Sequence, residues 1–114
     1  MITLDSAEQI TEHTLGLLSQ IPPGEGRNFE AGGRLLTVFH TRDGGVYATQ
    51  PECPHRAGPL ADGLLGGTIL LCPFHAWKFD LRTGEAVLGS CGLTTYPARL
   101  STTGEIIVTV NPDD

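Results

Sequence analysis

The chain is poor in the residues that mark several large function classes. It has only seven lysines and arginines against 13 aspartates and glutamates, a formal charge of −6. Nucleic-acid binding needs a basic footprint, so that class is excluded. No apolar run approaches the length of a membrane span, so no membrane partner is expected. The first ten residues, MITLDSAEQI, carry two acids and no basic cluster. They do not read as a secretory signal, and a cytoplasmic location is expected. Cysteine is scarce and odd in number, three in 114 residues. A disulfide framework uses an even count, so these cysteines are expected to be metal ligands or thiols in a reducing compartment.

Glycine and proline are plentiful, at 15 and 8. With few long apolar runs, they point to many turns and an all-β chain. The length fits a single domain, residues 1–114, with one modest core. Ser6-x-x-Gln9 could cap a short helix, but Ile10 to Leu17 reads rather as a strand. Ile21 to Gly26, IPPGEG, reads as a connector. RLLTVFHT, from Arg34, reads as a strand with Leu35, Thr37 and Phe39 on one face. Asp43-Gly44 centres a tight turn, and VYATQ returns to complete a hairpin. Further strands are expected at Thr68 to Leu71, at Trp77 to Leu81, around Tyr96 to Leu100, and at Glu105 to Val110, where Ile106, Val108 and Val110 share a face. The expected total is about eight short strands.

Two of the three cysteines and two of the four histidines fall between Cys53 and His75. They form two mixed pairs, Cys53/His55 and Cys72/His75, separated by the sixteen residues Arg56 to Leu71. Each cysteine precedes a proline, Pro54 or Pro73, which fixes φ and stiffens the loop. Both pairs fall on expected loops. A zinc site with two cysteines and two histidines is one reading, and the chain would then be a zinc-stabilised binding module. Common zinc spacings make each arm homogeneous, however, and here both arms are mixed. Mixed arms suit two metal atoms, with two thiolates on one, two imidazoles on the other, and each loop reaching both.

The motif C-P-H, sixteen residues, C-P-F-H resembles that of the Rieske [2Fe–2S] family, C-x-H…C-x-x-H. VYATQPECPHRAGPLADGLL and LLCPFHAWKFDLRTGEAV look like soluble Rieske ferredoxins and like the small subunit of NAD(P)H-dependent nitrite reductase. IPPGEGRNFEAGGRLLTVF fits the leading strands of such proteins, and the similarity covers roughly residues 18 to 110. The resemblance implies an antiparallel β-sandwich with a smaller cluster-binding subdomain, about residues 50–89. It implies one [2Fe–2S] cluster, with Cys53 and Cys72 on the inner iron and His55 and His75 on the outer.

Two ferric ions, two sulfides and two thiolates carry no net charge when the imidazoles are neutral. An electron is added more easily to a neutral centre than to the dianion that four thiolates would give. Such centres lie at about −150 to +300 mV, against about −400 mV for plant-type clusters. High-potential relatives carry two extra cysteines and a serine donor, at positions that here are Gly58, Phe74 and Trp77. Their absence implies the low end of the range.

The resemblance implies a one-electron carrier between a flavoprotein reductase and an oxygenase, not an enzyme by itself. The alternative is the nitrite reductase small subunit, bound to a large flavin and siroheme subunit; CPHRAGPLADGLL and SCGLTTYP look slightly closer to it. An oxygenase would need a further iron held by two histidines and a carboxylate. Only His13 and His40 remain, and each reads as an ordinary surface or core-edge side chain. Cys91 is expected to be a buried, inert thiol, or else part of a third loop, residues 88–92, over the cluster. Trp77 and Phe79 are expected to support the second ligand loop, with Trp77 alternatively screening the cluster from water. Gly58, Gly63, Gly66 and Gly67 are expected to permit turns and close backbone approach. Arg56 reads as a solvated charge near the electron exit.

Overall fold

The computed structural model describes residues 11–54, 59–73, 77–88 and 91–110. Among the described residues are eleven strands: β1 (Thr11–Leu17), β2 (Glu25–Ala31), β3 (Arg34–His40), β4 (Val46–Thr49), β5 (Leu64–Gly66), β6 (Ile69–Leu71), β7 (Lys78–Asp80), β8 (Ala86–Leu88), β9 (Thr95–Tyr96), β10 (Ala98–Leu100) and β11 (Glu105–Val110). They form three antiparallel sheets, ordered β1-β11-β10, β2-β3-β4-β9 and β5-β6-β7-β8. Among the described residues no helix is long and apolar enough to cross a membrane.

The first two sheets enclose one core. Leu36 and Val38 of β3 meet Ile106, Val108 and Val110 of β11, with Leu18, Ile21 and Tyr96 filling between them. The alternation expected for β11 holds, since Ile106, Val108 and Val110 are buried and the intervening residues half-buried. Burying each such aliphatic side chain contributes about 1.5–3 kcal/mol. A second core lies between the second and third sheets. It gathers Phe39, Leu60, Leu70, Phe79, Leu81 and Leu93 around Cys53 and Cys72.

β3 therefore works on two faces. Thr37 and Phe39 are buried, as expected, but so are Leu36 and Val38, while Leu35 is 52% exposed. An interior strand with a core on each side buries both sets of side chains. Leu35, paired with Glu30 near the hairpin end, belongs to neither core. The buried Thr37 hydroxyl donates to Asn28 Oδ1 across the pair at 2.6 Å, so its burial costs little.

The hairpin at Asp43-Gly44 forms as expected. Thr41 N–H donates to Gly45 O and Gly44 N–H to Thr41 O, each at 3.0 Å. The connector expected over Ile21 to Gly26 is shorter, because β2 already begins at Glu25. Most of β2 is polar and exposed, which hides the strand from an apolar pattern. The strand expected around Tyr96 to Leu100 is split at Pro97: β9 pairs with β4, and β10 pairs with β11. Proline cannot donate to a ladder, so the chain changes sheets there.

Candidate metal centre

The site is built from two loops, each closed at its base by backbone hydrogen bonds. The first leaves β4 at Thr49. A bridge between Glu52 and Pro59 and the bond from Leu60 N–H to Pro51 O, 3.0 Å, bring its ends together. The returning chain forms a short 3₁₀ turn, Leu60–Asp62, whose Leu60 is fully buried. The second loop joins β6 to β7. Cys72 N–H donates to Trp77 O at 2.7 Å, which extends the β6–β7 ladder by one step.

Cys53 stands just inside the first closure and Cys72 at the second. They are 3% and 2% exposed, they share one apolar cluster, and neither sulfur forms a disulfide. Two thiols from chain segments far apart in sequence are thus delivered to one water-poor place. His55 and His75 lie outside the described residues, as do Arg56, Gly58 and Phe74.

Gly63 locks the two loops against each other. A Cβ placed there would lie 2.5 Å from Leu71 O, 3.0 Å from Leu70 Cδ1 and 3.2 Å from Leu60 O. Only a glycine lets the first loop's return lie this close to the strand that ends at Cys72. Gly66 and Gly67 meet nothing within 4 Å, so close approach is not their role.

A third segment adjoins the pair. Leu93 is buried in the cysteine cluster, and its N–H donates to Gly84 O at 2.6 Å. Gly84 has φ +81°, and a Cβ there would strike Leu93 O at 2.4 Å. The turn before it is held by Asp80, which accepts from Arg82 Nε at 3.1 Å, Arg82 Nη2 at 2.8 Å and Arg82 N–H at 3.0 Å. These bonds from Arg82 hold the Asp80 carboxyl below the usual aspartate range.

Cys91 is exposed, not buried as expected. The segment spends its one buried position on Leu93, two residues on. Trp77 is half-buried and packs on the cysteine cluster, its ring centroid 6.3 Å from that of Phe79 at 52°. It supports the second loop through its carbonyl as well as its ring. His40 sits at a core edge, its Nδ1 2.6 Å from Ile21 O, and His13 Nε2 lies 2.7 Å from Thr11 Oγ1. Sequence reasoning passed over Gln50, whose side chain joins the first loop to Thr94. A lone glutamine carries no pattern that would have shown it.

Among the described residues no charged side chain is buried. A cleft of about 440 Å³ between β4, β9 and the Leu81-Arg82 turn is lined by neither cysteine. The site is fitted to hold a group by sulfur and to keep water from it. Two thiols in one apolar cluster, each beside a backbone hydrogen-bonded loop closure, suit the soft metals that thiolates select, and so fit an iron–sulfur centre.

A sequence model of the Rieske [2Fe-2S] domain family matches residues 11–97. The ferredoxin component of the naphthalene 1,2-dioxygenase system of Pseudomonas aeruginosa is 33% identical over 85 residues, which are 73% of this chain and 81% of that protein. The ferredoxin of carbazole 1,9a-dioxygenase from Nocardioides aromaticivorans superposes with TM-score 0.76 at 28% identity, covering 86% of this chain and 96% of that one. A Mycobacterium tuberculosis protein described as an NADH-dependent nitrite reductase small subunit superposes with TM-score 0.82, covering 89% and 96%. Its 22% identity supports likeness of fold alone.

Proposed function

The chain belongs to the Rieske [2Fe–2S] domain family, and from that premise we propose that it carries single electrons from a flavoprotein reductase to an oxygenase. The cofactor of this family is a [2Fe–2S] cluster, which when bound takes up and releases one electron at a time. Cys53 and Cys72 would bind the inner iron as thiolates. His55 and His75 would bind the outer one through neutral imidazoles. The observation that carries this reading is the burial of both cysteines in one apolar cluster, at the mouths of two hydrogen-bonded loops.

The protein's own residues do three things in this scheme. The two loop closures tie the backbone beside Cys53 and Cys72 to the neighbouring strands, which would limit rearrangement on a change of charge. Phe39, Leu60, Leu70, Phe79 and Leu93 exclude water from the sulfur side. Trp77 stands where high-potential relatives place a hydroxyl donor, which keeps the potential at the low end of the family's range. A flavin can then act as donor.

The oxygenase route is favoured over the nitrite reductase subunit because the ferredoxin component of Pseudomonas aeruginosa matches at 33% identity over most of its length. The test is an anaerobic pull-down with the tagged, iron-loaded protein, followed by stopped-flow reduction. Rapid reduction by a weakly bound flavoprotein, and reoxidation by an oxygenase, is expected. Stoichiometric recovery of a large siroheme flavoprotein would overturn this role in favour of the nitrite reductase subunit.

A further inference from the structure

We infer that Gln50 is a positioning residue, a clamp that fixes the Cys53 loop against the Cys91–Thr94 segment and so limits water access to the paired cysteines. Every polar group of Gln50 is used. Its N–H donates to Thr94 O at 3.0 Å. Its Oε1 accepts from Thr94 N–H at 2.8 Å. Its Nε2 donates to Glu52 O at 2.6 Å. Its carbonyl accepts from the Thr49 hydroxyl at 2.7 Å. The orientation of the amide is settled by its partners, since Thr94 N–H needs an oxygen and Glu52 O needs a nitrogen.

The position of these bonds gives them their effect. Glu52 adjoins Cys53, and Thr94 adjoins Leu93, which is buried in the same cluster as both cysteines. One side chain therefore spans two segments 44 residues apart in sequence, next to residues of the cysteine cluster. Backbone pairing alone would leave the amide of Thr94 and the carbonyl of Glu52 to water. A glutamine at position 50 gives both a protein partner at an exposed rim and ties them together. No shorter side chain reaches both, and a carboxylate can serve only one.

The inference rests on the electron-carrier reading for its redox consequence, but the clamp itself can be tested apart from it. Three proteins are compared: wild type, Gln50→Glu, which keeps the acceptor and loses the donor, and Gln50→Met, which loses both at similar volume. The first readout is amide exchange at Thr94 in the iron-loaded protein. Losing one hydrogen bond of ordinary strength speeds local opening by about ten-fold in Gln50→Met, with Gln50→Glu nearer wild type at this amide. The second is the rate of iron release to a chelator, which should rise in both variants, more in Gln50→Met. The third is the midpoint potential. A looser pocket admits water, water favours the more highly charged reduced state, and the potential should move positive. Unchanged exchange at Thr94 together with unchanged iron release and potential would overturn the clamp. If Gln50→Met does not fold, Gln50→Glu decides the question by iron release and potential. A wild-type protein that holds zinc instead of iron would sink the electron-carrier reading, while the Thr94 exchange would still support or overturn the clamp.

Discussion

Gly63→Ala should loosen both ligand loops at once. The backbone at Gly63, φ −73° and ψ 168°, is one that alanine adopts freely, so the penalty is steric alone. The new Cβ would sit 2.5 Å from Leu71 O, whereas real Cβ contacts begin near 3.0 Å and are comfortable from 3.4 Å. Backbone must therefore move by about 0.5–0.9 Å, and no flexible side chain can absorb it, because the obstacle is a strand carbonyl one residue before Cys72. Overpacking of this kind costs about 1–3 kcal/mol. For a domain of this size that is a fall in Tm of about 5–15 °C. The displacement is passed to Leu71 on one side and to Leu60 on the other, so iron and sulfide per chain should also fall. Gly66→Ala is the control, since a Cβ there meets nothing within 4 Å. Calorimetry and iron assay of the two variants check the argument. A Gly63→Ala protein as stable and as fully loaded as wild type, or a Gly66→Ala protein equally damaged, would refute it.

Cys53→Ser and Cys72→Ser should each abolish stable iron binding, while Cys91→Ser, at an exposed position, should leave iron content and visible spectrum unchanged. His75→Cys, if it retains a cluster, should lower the midpoint potential in a redox titration, because a third thiolate makes the centre anionic. Trp77→Ser should raise it where the hydroxyl reaches a sulfide, and should also cost stability through lost packing on Phe79. The Asp80 carboxyl is held down mainly by its hydrogen bonds from Arg82, so the stability it contributes is present above the ordinary aspartate value of 3.8 and is lost as pH falls through the lower folded value. Acid denaturation of Asp80→Asn should therefore be flatter than wild type in that acid window, and added salt should narrow the difference.

Elements with local signals were legible in the sequence. The Asp43-Gly44 turn announced the β3–β4 hairpin, and alternation announced β11 and, within Trp77 to Leu81, the shorter β7 at Lys78–Asp80. The two cysteine loops were legible because four residues of two scarce types stood in two pairs. What escaped depended on contacts made at a distance. β2 is a strand through its pairing with β3 and offers little apolar surface of its own. β5 and β8 have three residues each, too few for a period to show, and their register comes from β6 and β7. The outward turn of Cys91 follows from Leu93 claiming the core, and the clamp at Gln50 follows from a partner 44 residues away. Neither leaves a mark on a local pattern.

The central claim is a [2Fe–2S] cluster held by two cysteines and two histidines, one of each from each loop. Pulsed EPR of the reduced protein tests it most directly. Two strongly coupled imidazole nitrogens are expected on the reduced centre, with one lost in each of His55→Cys and His75→Cys. A reduced spectrum with no directly coordinated nitrogen, or a colourless protein with stoichiometric zinc and no reduced signal, would contradict it.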